Sequence, residues 1–453
     1  MSVRDIVAEA AVFPAFEVGL SADNCLKCNV CNTVCPVARV TDLFPGPKYV
    51  GPQAQRFRVG TLLSPSTPGS HVVSPDRTVD WCSGCGMCTN ACPADVKIAE
   101  MNNRARAQMK SGHRPRLRDW LLGQTDFVGR MGVLTAPIAN WSLRLRPFRV
   151  LIDWFIGIHR RAPLPAFATR TLRSRLAAER RRSGATLALP SSPEPPPERA
   201  VVLFHGCAAN YYEPEVALAA IEVLERNGLA TIVPEQVCCG LPMISNGLYA
   251  GARGRARTNL GVLAEYARRG YRIVGTSTSC THTLKSEYRE MLDLDDADAR
   301  AVSDATWDIC ELLVELNDEG RLDTRFGSIE ETLPYHAPCQ LRSHGIGLPA
   351  MELFALVPGL SAVDLDHDCC GVAGTYGLKK EKYDIAMAVG APLFARVQAA
   401  AEAGATRAVC DSETCRWQIA AATSTPVVHP VQVLAAAYAA ADAADAASNS
   451  GLA

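Results

Sequence analysis

Between Arg199 and about Ala440 the chain alternates short runs rich in β-branched and aromatic residues with stretches of helical periodicity. The runs Arg199–Cys207, Ala230–Cys238 and Tyr271–Cys280 read as strands, and Glu213–Arg226 and Arg253–Arg268 read as helices. Strands that alternate with helices predict a parallel sheet with crossover connections. Right-handed crossovers carry every strand C-terminus to one edge, the edge at which open α/β sheets bind ligands. Each of these runs ends on a cysteine.

The pattern then repeats. VVLFHGC at Val201–Cys207, CCG at Cys238–Gly240 and GTSTSC at Gly275–Cys280 return as LPYHAPC at Leu333–Cys339, CCG at Cys369–Gly371 and CDSETC at Cys410–Cys415. Matching cysteines are 132, 131 and 135 residues apart, near-constant offsets that mark a duplication. Ahead of the repeats, Leu189–Glu198 (LPSSPEPPPE) has the stiff, polar composition of a linker. The expected domains are 1–126, cysteine-rich; 127–198, a basic segment and linker; 199–325 and 326–440, the two repeats; and 441–453, a flexible tail rich in Ala, Asp and Ser.

Composition narrows the chemistry. A net charge of −1 gives no reason to expect nucleic acid. The balance is uneven, however: Arg104–Arg182 holds 18 Lys/Arg against 4 Asp/Glu. Eighteen cysteines in 453 residues are too dilute for a disulfide scaffold and stand at metal-ligand spacings. Met1–Leu20 does not read as a signal peptide, and no uninterrupted apolar run is long enough to span a bilayer. A reducing cytoplasm is therefore expected, where metal binding is the ordinary use of clustered thiols.

Cys25, Cys28, Cys31 and Cys35 are spaced C-x2-C-x2-C-x3-C and followed by Pro36; Cys82, Cys85, Cys88 and Cys92 repeat this ahead of Pro93. That run is the bacterial-ferredoxin pattern, in which the fourth cysteine of each run ligates the other cluster. Two [4Fe–4S] clusters are expected, one on Cys25, Cys28, Cys31 and Cys92, the other on Cys82, Cys85, Cys88 and Cys35. Zinc sites more often use paired knuckles. The fold class that follows is α/β, with an N-terminal, mainly helical ferredoxin-like domain and duplicated parallel-sheet CCG domains.

In the repeats, three separate segments bring Cys207, Cys238, Cys239 and Cys280 to one sheet edge, and Cys339, Cys369, Cys370 and Cys415, with Cys410 nearby, to another. Soft thiolates so gathered suit a further iron–sulfur or zinc centre in one or both repeats. The alternative is that these cysteines are buried small hydrophobes. His205 and His336 are candidate ligands, candidate groups at a quinone site, or core histidines. Gly240, Gly371 and Gly374 suit tight turns beside a metal. Cys310, alone in a helical pattern, reads as core.

The motifs CLKCNVCNTVCPVARV, CSGCGMCTNACPADVKI, FHGCAANYY, CCGLPMISNG, YHAPC, DCCGVAGTYGLKKEKY and ETCRWQI resemble the C subunit of anaerobic glycerol-3-phosphate dehydrogenase over nearly the whole chain. The repeats also resemble the cysteine-rich domains of heterodisulfide reductase and of some succinate or fumarate reductase subunits. The resemblance implies a non-flavin subunit that takes electrons from a flavoprotein dehydrogenase, passes them to membrane menaquinone and helps to anchor the complex at the cytoplasmic face. Two alternatives are a succinate/fumarate-type relay and a catalytic disulfide reductase. The resembled pattern closes each repeat with CxxC. Here Ser277 and Ser412 replace the first of those cysteines, which weighs against a five-thiolate cluster of the disulfide-reductase kind.

Trp141–Arg161 (WSLRLRPFRVLIDWFIGIHRR) has an apolar centre flanked by arginines. It is too short to span and suits a segment lying in the interface of an anionic membrane, or one packed against a partner. No Rossmann fingerprint or P-loop occurs, so substrate oxidation is expected on a partner.

Overall fold

The computed structural model describes residue 18 and residues 20–55, 77–110, 113–183, 194–365 and 369–450. The first half of the Pro/Ser linker, residues 189–193, lies outside these.

The two repeats are the same fold twice. Four strands of the first, β1 (Ala200–Phe204), β2 (Ala230–Ile232), β3 (Arg272–Gly275) and β4 (Thr306–Asp308), form a parallel sheet in the order β2-β1-β3-β4. The second has β5 (Glu331–His336), β6 (Leu360–Asp364), β7 (Ala408–Cys410) and β8 (Val427–Val428) in the order β6-β5-β7-β8. Strand β1 is buried along its full length, as a strand covered by helices on both faces must be. Its continuous apolar run reflects that burial.

One core joins the repeats. Val201 and Val274 of the first sheet, Leu312 and Leu313 of the helix Ile309–Asp318, and Leu333, Tyr335 and Val409 of the second sheet belong to a single buried cluster. The closing helix Pro430–Ser450 adds Val433, Leu434 and Tyr438 to that cluster and packs on the helix Pro214–Arg226 of the first repeat. Ala441–Ser450, which composition suggests as a flexible tail, belongs to this helix, with Asp442 paired to Arg226 at 2.8 Å. Alanine is the best helix former, and an ion pair holds the last turns down.

The N-terminal domain has two small buried clusters of its own, one with Val96, Ile98 and Met101 and one with Phe44, Val50 and Val79. It is built from short turns around the cysteine loops and the helix Ile98–Lys110. A buried ionic cluster fixes it to the repeats: Asp80 and Asp119 meet Lys110, Lys379 and Lys382, with Lys379 Nζ 3.1 Å from Asp119 and Lys382 Nζ 3.3 Å from Asp80. Arg118 adds a bidentate pair to Glu381, at 2.7 and 2.8 Å. Burial alone would raise the two aspartic acids, but the surrounding cations win and hold both carboxyls well below the usual range.

Between the N-terminal domain and the first repeat, four helices form a platform: Leu117–Gly123, Thr125–Leu134, Ala136–Arg144 and Arg146–Phe155. The stretch Trp141–Arg161 is thus two helices meeting at the extended residue Leu145, with Pro147 in the first turn of the second, where a proline is tolerated. Of the twenty large hydrophobic side chains left exposed among the described residues, thirteen lie between Leu117 and Phe155, and Trp154 and Phe155 are 78% and 77% exposed. An isolated exposed leucine needs no explanation, but a contiguous apolar face marks a contact surface.

Candidate metal centres and the cavity between them

The two ferredoxin-type loops share a backbone path. Lys27 and Asn29 in the first, and Gly84 and Gly86 in the second, all have positive φ (59°, 72°, 73° and 82°). Each loop then enters a one-turn helix, Val30–Thr33 or Met87–Asn90, carrying the third cysteine inward. Glycine takes this path without strain, and asparagine is tolerated there. Wrapping the loop this way brings its first three cysteines together. Cys31 sits beside Cys25, Cys28 and Cys92, while Cys88 sits beside Cys82, Cys85 and Cys35. Each group takes its fourth thiol from the opposite run. Burial pushes the Cys35 and Cys85 thiols up to about 12. The first group is the more open, with Cys28 exposed and Cys25 and Cys92 half-buried.

In the first repeat the cysteines come off the ends of successive strands, as the topology requires. Cys207 starts the helix after β1, Cys238 and Cys239 end the loop after β2, and Cys280 lies on the one-turn helix after β3. The four thiols form one buried group. Hydrogen bonds from Cys207 and Cys239 hold the Cys238 thiol well below its ordinary value, and the same bonds hold the two donors above theirs. The Cys238 N–H donates to Asp126 of the platform at 3.1 Å. Ser277 caps the short helix, its hydroxyl accepting from the Cys280 N–H.

The second repeat gathers five. Cys370 and Cys415 are 2.9 Å apart, Cys369 and Cys339 adjoin them, and Cys410 lies beside Cys415. The His336 ring joins Cys410 and Cys415 with potential ligand atoms within 4.8 Å of one another, and its buried Nδ1 has no partner. His205 instead places Nδ1 2.7 Å from the Gly206 carbonyl and leaves a buried Nε2 without a partner. Burial keeps both rings neutral, with pKa values down at about 3 for His336 and about 4 for His205. Four or five soft donors in a place where burial opposes charge are the donor set that iron–sulfur or zinc requires. Cys310 is fully buried, yet it stands with Asp308 and Asp411, its sulfur within 4.8 Å of their oxygens.

How the sites sit relative to one another has no signal in the sequence. Cys85 of the N-terminal domain lies near enough to Cys339 and Cys369 of the second repeat for charge on one thiol to raise another. At the same junction Asn90 donates to Ser343 at 3.1 Å. The two repeat sites also open onto one shared cavity of about 450 Å³, whose wall includes Cys207, Cys239 and Cys280 on one side and Cys339, Cys369 and Cys415 on the other. The rest of the wall is largely apolar and comes from the platform helices, the segment 163–167, the loop at Ser83–Cys85 and side chains of both repeats such as Leu241, Val372 and Trp417. Only the KKEK of the 371–383 motif hints at the ionic cluster beside it.

Comparison with known proteins gives the context. Residues 21–96 match the family described as 4Fe-4S dicluster domain, and residues 201–285 and 333–420 match the one described as Cysteine-rich domain. The chain is 36% identical over 427 residues to the C subunit of anaerobic glycerol-3-phosphate dehydrogenase from Escherichia coli, covering 92% of this chain and 99% of the relative. It belongs to that family. The chain is accordingly an iron–sulfur electron-transfer subunit of the glycerol-3-phosphate dehydrogenase family, and its two domain types indicate iron–sulfur clusters. The glycolate oxidase iron-sulfur subunit of Escherichia coli is 28% identical over 78% of this chain and 80% of its own. The B subunit of fumarate reductase (CoM/CoB) from Methanothermobacter marburgensis is 31% identical over 43% of this chain and 37% of its own. Among the described residues no helix is long and apolar enough to cross a membrane.

Proposed function

We propose that the chain relays electrons from a flavoprotein dehydrogenase, acting on glycerol 3-phosphate, to menaquinone, while resting on the cytoplasmic face of the membrane. Two [4Fe–4S] clusters would be held by Cys25, Cys28, Cys31 and Cys92 and by Cys82, Cys85, Cys88 and Cys35. A further iron–sulfur or zinc centre would be held by Cys207, Cys238, Cys239 and Cys280, and another by Cys339, Cys369, Cys370 and Cys415 with Cys410. Such clusters supply one-electron carriers whose potentials follow hydrogen bonding and solvent exposure.

The observation that carries this reading is the placement of Cys85 on the wall of the same cavity as Cys339 and Cys369. It makes the thiol groups one continuous series from the exposed Cys28 to the buried cavity. Input from a partner suits the exposed end, where Leu26 and Val30 stand in solvent around Cys28. The platform suits the membrane, because its apolar face lies between Arg144, Arg146 and Arg160, which match anionic headgroups.

An anaerobic pull-down of the tagged chain from its native membranes tests the reading. A glycerol-3-phosphate-type flavoprotein, with about eight or more irons on this chain as two cubane clusters require, supports it. A succinate-type flavoprotein keeps the relay and changes the substrate. Recovery without any flavoprotein overturns it in favour of a disulfide reductase.

A further inference from the structure

The platform has two sides that do different things. Outward it shows its apolar side chains to solvent; inward, Leu121, Leu122, Val128 and Leu143 wall the cavity between the two cysteine sites. Phe148 belongs to both sets, 38% exposed and lining the cavity, so the apolar face reaches the cavity at that residue. The cavity, about 450 Å³ with the room that centres on its wall cysteines would take counted in, presents its platform end to a small molecule. Two polar groups on the cavity wall are buried without a hydrogen bond, the Thr125 hydroxyl and the side-chain oxygen of Gln340, next to Cys339. Burying such a group costs free energy unless something occupies the space beside it.

We propose that this cavity is the site of a flat, lipid-soluble quinone head group, which enters past Phe148 from the apolar face and lies between the two cysteine sites. The inference rests on the relay reading above and adds where the acceptor sits. A site entered from that face admits a ligand dissolved in lipid and excludes ions. The apolar walls hold the ring, and the side-chain oxygen of Gln340 accepts a hydrogen bond from a ring hydroxyl of the reduced form. Reduction there takes two electrons from the reduced flavoprotein and two protons from water. It converts both ring carbonyls to hydroxyls and releases the quinol by the same route.

The test uses the complete, anaerobically purified complex in detergent and an azido-naphthoquinone as photoaffinity probe. The expected labels fall on Leu121–Val128, Ser142–Phe148 or Leu164–Phe167 and are displaced by a short-chain menaquinone. Leu143→Trp, which fills the cavity from its platform wall, is expected to lower labelling at least tenfold at unchanged iron content. Labelling of the wild type elsewhere, in a complex that reduces quinone, overturns the site and leaves the relay standing. Undiminished labelling of an iron-replete Leu143→Trp also overturns the site. A wild-type complex that reduces no quinone overturns both readings.

Discussion

The glycines of the two CCG motifs give a test of the structure because the duplication makes them a matched pair. Gly240 and Gly371 both have positive φ, +96° and +81°, and the N–H of each donates to the first sulfur of its cysteine pair, at 3.5 and 3.3 Å. An alanine at either position bears the left-handed backbone cost, about 1–2 kcal/mol. Their surroundings differ. A Cβ on Gly240 would meet nothing nearer than 3.5 Å, whereas one on Gly371 would lie 1.9 Å from the Ala386 carbonyl oxygen. That oxygen belongs to the backbone of a helix and cannot swing aside, so Gly371→Ala carries an added overpacking cost of about 1–3 kcal/mol. The expected losses are therefore about 1–2 kcal/mol for Gly240→Ala and about 2–5 kcal/mol for Gly371→Ala. Anaerobic urea unfolding of both variants, with iron assayed on the same samples, reads the difference. Equal losses, or a larger loss for Gly240→Ala, contradict this account of the two turns.

Three further outcomes are expected. Glu287 is fully buried, and burial first, then Glu100 and Glu290, raise its carboxyl to about 7. A folded value above the unfolded one means that stability falls as pH rises from about 4.5 to about 7, so Glu287→Gln is expected to gain roughly 2–3 kcal/mol at pH 8 and almost nothing at pH 4.5, read by thermal unfolding at both. Asp119→Asn removes the carboxylate paired with Lys379 and leaves Lys110 only Asp80, and is expected to cost about 2–4 kcal/mol. The Asp119 carboxyl is held well below its usual range, so its contribution is complete above about pH 4 and goes only as pH falls through the lower folded value; an unfolding deficit that vanishes already at pH 5 contradicts it. Changing Phe148, Trp154 and Phe155 together to Ser is expected to abolish flotation with anionic liposomes, and unaltered flotation sinks the membrane reading of the platform.

Much of this molecule is legible in its residues alone. The offsets of 132, 131 and 135 residues specify a duplication, and the two sheets share one strand order. Strand ends at cysteines predict which thiols meet, because a parallel sheet sends its C-termini to one edge. What stays hidden depends on contacts between distant segments. Asp80, Asp119, Lys379 and Lys382 each look like surface charge alone and become a buried cluster only when two domains close on them. The apolar stretch at 141–161 is visible, but the break at Leu145 and the continuation of its exposed face back to Leu117 are not, since both depend on which side of each helix finds a partner. Cys310 reads as plain core; one carboxylate neighbour, Asp308, caps its own helix, and only the other, Asp411, arrives from a distant segment, just past the end of β7.

The cysteine sites of the two repeats come from the duplication and share one cavity, yet the platform that walls part of it belongs to neither repeat. An ancestral pair of metal-holding modules could therefore change its reaction partner by altering residues 117–167 alone, with every thiol left in place. Grafting that insert between relatives should transfer acceptor preference while preserving the electronic spectrum of the host.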